Sequence, residues 1–230
     1  ARERMAKSQI TQLGASDYGL YVLGISLTNL FLTDLGLSNS SARFLARKRA
    51  KGDDPGAAGT LTVILRLYLA LDFFIAIALG VFALFIGQAY PGLTAAEHDR
   101  FLVVFLIVAC VGVATFPFAG LGGAFIAYER FAALRGIEIG QRLFSTLLIG
   151  LALSNHIGLY GLVGANSVAL LVGASAKTIY ISRVLPLAGR TRLPFWQSAK
   201  PILRFTLWTS LATVSGLAVF TAAPVFSRGW

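Results

Sequence analysis

The chain has 230 residues, 56% hydrophobic and 13% charged, with a net charge of +10 at pH 7. Soluble domains carry about a quarter charged residues, so with a mean hydropathy of +0.73 the composition excludes an ordinary soluble domain and indicates a membrane protein. The basic residues fall between long apolar runs rather than along one exposed face, which argues for membrane topology and against a nucleic-acid partner.

Six apolar runs are long enough to cross a hydrocarbon core, which takes about 20 residues as helix. In chain order they are Tyr18 to about Leu37, Leu61–Ala89, Phe101–Tyr128, Phe131–Leu153, Ile157–Ile181 and Ile202 to about Phe220. Lipid offers backbone groups no water to bond, so each run is expected to be α-helical. The longest polar connections are Arg43–Gly59, Gln88–Arg100 and Ser182–Lys200. The fold class expected is all-α, a polytopic transmembrane helix bundle of about six spanning helices.

Orientation follows from Lys and Arg. Arg43, Arg47, Lys48, Arg49 and Lys51 follow the first run, Arg130 and Arg135 the third, and Arg183, Arg190, Arg192 and Lys200 the fifth. Only Arg100 follows the second run, and no basic residue follows the fourth. The first, third and fifth connections are therefore expected on the cytoplasmic side, with Arg2, Arg4 and Lys7 the one dissent. The cluster from Arg43 to Lys51 reads as a stop at the inner face, where it can also meet anionic membrane lipids.

An ionisable group in mid-membrane costs about 2.5–3.5 kcal/mol on insertion scales, so each needs a reason. Lys177 and Arg66 lie near the ends of their runs and can snorkel, with Asp34 a further partner for Arg66. In "FAALRGIEIGQRLFSTLLIGLAL", Arg135, Glu138 and Arg142 are three and four residues apart and share one helical face, extended by Gln141 and Ser145. Arg142 is close to the midpoint of that run, too deep to snorkel easily. A Glu138–Arg142 ion pair would neutralise both, yet the stripe keeps an excess positive charge and should face protein or a wet cavity. The planar guanidinium suits phosphate oxygens. Asp72, also near mid-depth, could pair with Arg142, pair elsewhere, or hold a coupling cation; pairing is the favoured reading.

Weaker polar stripes are Ser26, Asn29 and Thr33 in the first run and Thr206, Thr209, Ser210 and Thr213 in the sixth. Interhelical hydrogen bonds account for most such residues. Pro117, among Gly112, Gly120, Gly122 and Gly123, predicts a kink or hinge in the third run, although close helix packing would equally explain the glycines. Cys110, the only cysteine, reads as a small buried hydrophobe and excludes an intramolecular disulfide or a cysteine metal cluster. No cleavable signal peptide is visible. Nucleotide-binding, hydrolase and zinc-protease motifs are absent, so no cofactor, metal or enzymatic activity is expected.

"LGASDYGLYVLGISLTNLFLTDLGLSNSSARFLARKRAKGD", "AYERFAALRGIEIGQRLF" and "GLYGLVGANSVALLVGA…SRVLP" resemble the polysaccharide-biosynthesis flippases of bacteria, in the multidrug/oligosaccharidyl-lipid/polysaccharide exporter superfamily. The resemblance covers about residues 12–220 and rests on diffuse hydropathy and glycine patterns. It implies two bundles of about six helices enclosing a cationic cavity, set in the bacterial inner membrane. It also implies transport of undecaprenyl-diphosphate-linked oligosaccharide by alternating access, in company with a polysaccharide polymerase.

On that scheme the chain would hold helices two to six and the start of helix seven. An outer segment would occupy 1–17, the first bundle 18–185, a basic cytoplasmic linker 186–200 and the start of a second bundle 201–230. The ending "AAPVFSRGW" departs from the expected continuation, and the chain reads as a fragment. Arg142, Arg135, Gln141 and Asn29 become candidates for substrate binding, Asp72, Asp34 and Glu138 for ion coupling or internal pairing, and Pro117 for a hinge. The rival readings are a cation-coupled multidrug exporter, with Asp72 as the coupling residue, and a non-transporting scaffold of a polysaccharide synthase.

Overall fold

The computed structural model describes residues 15–32, 37–90, 94–155, 157–184 and 195–208, with backbone alone at 15–18, 30 and 31. The described residues form helices and the turns between them: α1 (Ala15–Phe31), α2 (Leu37–Arg49), α3 (Asp54–Ala89), α4 (Ala95–Thr115), a turn of 3₁₀ helix (Phe116–Gly120), α5 (Leu121–Ala127), α6 (Phe131–Ser154) and α7 (Gly158–Val184). A further helix, α8, covers 195–208. The fold is all-α, as the hydropathy predicts. Four stretches among the described residues are long and apolar enough to cross a membrane: Asp54–Ala89, Ala95–Ala127, Phe131–Ser154 and Gly158–Val184. The first and sixth apolar runs extend beyond the described residues.

Two boundaries differ from the hydropathy reading. Of the run expected to span from Tyr18 to about Leu37, α1 ends at Phe31 with Leu32 in a turn, and α2 is described over Leu37–Arg49. The "polar connection" Arg43–Gly59 is mostly helix, because α2 runs through Arg49 and α3 starts at Asp54. A hydropathy window sees basic residues as a loop, whereas Ala, Arg, Lys and Leu all favour helix. The turn between the two helices is short because its chemistry is local. Gly52, at φ +65°, ends α2, with the Asp53 N–H bonded to Lys48 O and the Gly52 N–H to Arg49 O, the Schellman arrangement. Asp53 then caps α3, accepting from the Gly56 N–H at 2.9 Å and from Lys48 Nζ at 2.8 Å.

The chain divides into two compact units. The first comprises the described parts of Ala1–Thr33, Tyr68–Phe118 and Ala132–Tyr180. Its core joins Tyr21 of α1, Val104 and Val108 of α4, and Leu159, Leu162 and Val163 of α7, with Ile149 of α6 against it. α1 and α4 come close where one side is glycine: Gly24 meets Val104 and Phe101, and Gly112 receives Leu32 and Thr28. Small residues of this kind let membrane helices approach without a hydrophobic driving force between them. α4 opens with a reciprocal cap in which Thr94 and Glu97 satisfy each other's backbone N–H groups.

The second unit comprises the described parts of Asp34–Leu67, Ala119–Phe131 and Ile181–Trp230. α2 and α5 pack through Gly122 and Gly123 against Ser38 and Ser41, and Ser38 Oγ donates to Ala119 O. Arg49 binds the end of α5: its Nη1 donates to Ala127 O at 2.9 Å and stands 3.5 Å from Glu129. That end is also a Schellman stop, with Arg130 N–H on Phe125 O and Glu129 N–H on Ile126 O, but Glu129 at φ 57° occupies the left-handed position that Gly52 takes after α2. α8 joins this unit through Ser40 and Thr206, whose buried hydroxyls are 2.8 Å apart.

Large apolar side chains face outward along the spanning helices, among them Leu69, Phe73, Phe74, Leu84, Phe85, Leu143 and Leu147. Such a surface is untenable in water and suited to hydrocarbon. Cys110 is on it. The cysteine is exposed rather than buried, because on a membrane helix an apolar residue has no need of the core.

Candidate functional site

α6 is the least embedded of the spanning helices: only 6% of its apolar window is buried. Its hydrophobic residues Ile139, Leu143, Leu147 and Leu151 are exposed, while Glu138, Gln141 and Ser145 are half-buried. The helix therefore presents a polar stripe whose half-buried part turns towards its neighbours. Arg135, Glu138 and Arg142 share one face as their spacing requires.

The pairing on that face differs from the expectation. Glu138 does not pair with Arg142. It accepts a 2.7 Å hydrogen bond from Arg135 Nη1 and lies 3.6 Å from Lys177 Nζ on α7. Lys177, expected to snorkel, is instead a partly buried ion-pair partner, with its side chain 21% exposed. Four residues before it on α7, Gly173 lies against the Gln141 carboxamide, so closely that a methyl group there would meet it. Gln141 and Glu138 thus face Gly173 and Lys177 in two successive turns, a polar seam between α6 and α7.

Arg142 is exposed and has no ion pair among the described residues. It is the twelfth of the 24 residues of α6, so it stands at mid-helix. With Glu138 shared between Arg135 and Lys177, the stripe of α6 taken together with Lys177 carries three cations (Arg135, Arg142 and Lys177) and one carboxylate, a net +2.

The other candidates are dispersed. Asn29 lies on the exposed side of α1. Pro117 is buried in the 3₁₀ turn Phe116–Gly120, where the α-helical hydrogen-bond pattern is interrupted as proline predicts. Asp34 lies outside the described residues, as do Thr33, Thr209, Ser210 and Thr213; Arg66, its suggested partner, is exposed. Asp72 occupies the buried stripe of α3 with Tyr68, Ile75 and Leu79. Of the alternatives open to it, the ion pair with Arg142 does not form among the described residues, and its Oδ1 is buried there without a hydrogen-bond partner. No group of three or more His, Cys, Asp or Glu placed to hold a metal occurs among the described residues.

Hydropathy and spacing found the Arg135–Arg142 stripe but missed Lys177 as its counterpart. The signal available was weak: one lysine inside an otherwise apolar helix, one turn beyond a glycine.

Comparison with known proteins gives one match. The family described as polysaccharide biosynthesis protein matches residues 11–227. No curated protein and no solved structure matches. Since the family match spans nearly the whole sequence and four helices are able to cross a bilayer, the chain is a membrane protein belonging to the polysaccharide biosynthesis protein family.

Proposed function

We propose that the chain forms part of a flippase that moves a lipid-diphosphate-linked oligosaccharide across the bacterial inner membrane. The observation that carries this reading is Arg142, a cation at mid-helix with no ion pair among the described residues. A guanidinium at such depth must meet protein, water or a counter-ion. A diphosphate supplies that counter-ion in the bidentate geometry arginine prefers. Arg135 and Lys177 reinforce the positive field, while Glu138 holds both side chains in place. The oligosaccharide would pass along the polar side of the bundle and the polyprenyl tail would stay in lipid. Membrane lipids and a polysaccharide polymerase are the proposed neighbours.

The test is transport of a fluorescent lipid-diphosphate oligosaccharide in vesicles made with Arg142→Ala. Loss of transport with normal membrane insertion is expected. Unchanged transport would remove Arg142 from the mechanism.

A second reading, coupling to a cation gradient, is favoured by Asp72, whose Oδ1 is buried without a partner among the described residues. On this reading Asp72→Asn abolishes the dependence of transport on an imposed sodium or proton gradient. Retained dependence would leave Asp72 as a structural residue.

A further inference from the structure

The second unit contains a cavity of about 550 Å³ that involves none of the residues of the proposed transport stripe. Arg43, Phe44 and Arg47 of α2 line one side, and Arg204, Phe205 and Trp208 of α8 the other. Each helix contributes an i,i+4 pair, Arg43 with Arg47 and Arg204 with Trp208, so each presents one face to the cavity. The two walls are tied together. The Ser40 and Thr206 hydroxyls are 2.8 Å apart, the rings of Phe44 and Phe205 pack edge to face with centroids 6.3 Å apart, and the Arg43 guanidinium lies 4.4 Å from the centre of the Phe205 ring.

The charges of α2 are unevenly compensated. Lys48 meets Asp53 at 2.8 Å, and Arg49 meets Glu129 at 3.5 Å and Ala127 O at 2.9 Å. Arg43, Arg47 and Arg204 have no ion pair among the described residues, and no carboxylate lines the cavity. With ten carboxylates against twenty Lys and Arg, the chain itself is poor in counter-charge. An anion from outside is the natural complement.

From this we infer that the cavity binds the headgroup of an anionic phospholipid. Three guanidiniums match the phosphate oxygens. A phosphate alone would occupy a small part of a cavity in the about 300–1,000 Å³ range of small-molecule sites. The aromatic walls of Phe44, Phe205 and Trp208 suit the glycerol and first acyl carbons that follow a headgroup phosphate. Trp208 is 66% exposed, and tryptophan is enriched at the membrane–water boundary. The basic cluster of α2 is weighted towards the inner leaflet, where anionic lipids are found.

The test uses Trp208 as its own reporter. In the full chain carrying Trp196→Phe and Trp230→Phe, reconstituted in phosphatidylcholine nanodiscs, brominated phosphatidylglycerol should quench Trp208 at a several-fold lower mole fraction than brominated phosphatidylcholine. Arg204→Gln should reduce this preference in part, and adding Arg43→Gln and Arg47→Gln should erase it. Lys48→Gln, whose charge already meets Asp53, should leave the preference in place. Equal quenching by the two lipids would overturn the proposal, as would a preference untouched by Arg204→Gln. Relief of quenching by soluble pyrophosphate would also overturn it, by showing that the cavity takes a free anion rather than a headgroup.

Discussion

Glu138 Oε1 lies 3.6 Å from Lys177 Nζ, joining the first third of α6 to the second half of α7. Both side chains are partly buried, 26% and 21% exposed, so the attraction is screened less than at a free surface. Glu138→Gln leaves Lys177 without its counter-charge and Arg135 without its hydrogen-bonded carboxylate. A loss of about 1–3 kcal/mol is expected, read as a lower unfolding temperature in detergent. Lys177→Met should cost less once Glu138 is already Gln, and a double-mutant cycle measures that coupling. Strict additivity would mean that the two residues do not interact.

Two glycines at helix contacts should respond differently to alanine. A Cβ on Gly123 would lie 2.5 Å from Ser41 Cβ, 2.7 Å from Ser38 O and 2.8 Å from Ala42 N, two of them backbone atoms that cannot turn aside. Gly123→Ala should therefore force α2 and α5 apart and destabilise by about 1–3 kcal/mol. At Gly173 the obstruction is the far end of Gln141, a flexible side chain. Gly173→Ala should have a much smaller effect on the unfolding temperature. Its effect on transport would report whether the position of Gln141 matters.

Glu129 holds a left-handed conformation, φ 57°, at a helix stop where glycine is the usual occupant. Its ion pair with Arg49 is long, 3.5 Å, and its side chain is 77% exposed, so the pair contributes little. Glu129→Gly should then stabilise the protein, by about 1 kcal/mol. A decrease in unfolding temperature would show that the Arg49 contact outweighs the strain.

Asp53 supplies a pH-dependent contribution. Its hydrogen bond from Lys48, then that from the Gly56 N–H, hold its carboxyl below the ordinary value of 3.8. Because the folded state favours the ionised form, the contribution is present above the unfolded pKa and disappears as pH falls through the lower folded value. The stability difference between the chain and its Asp53→Ala variant should be constant from neutral pH down to about pH 5 and shrink below pH about 4. A difference that persisted at lower pH would show that the contribution does not depend on the charge of the Asp53 carboxyl.

Much of the local structure could be read from the residues themselves. The apolar runs locate the spanning helices, "TAAE" at Thr94–Glu97 is a capping box, and Pro117 marks the break in the third run. These features depend on neighbours within one or two turns. The same local reasoning failed at α2. Hydropathy treats its basic residues as a loop, but helix propensity and a Gly-Asp turn fold them into a helix and a cap.

Residue spacing also determined that Arg135, Glu138 and Arg142 share a face, because a helix has one period whatever surrounds it. Which cation Glu138 takes as its second partner depends on how α7 is rotated and where Gly173 permits approach to Gln141. In the same way, the basic run at Arg43 and Arg47 is plain in the sequence, but its meeting with Arg204 and Trp208 depends on the seat of α8 against α2. Helix content and charge are one-dimensional properties and belong to the sequence. The partner of a charge depends on side-chain volume and helix rotation summed over many distant contacts, and only the tertiary structure decides it.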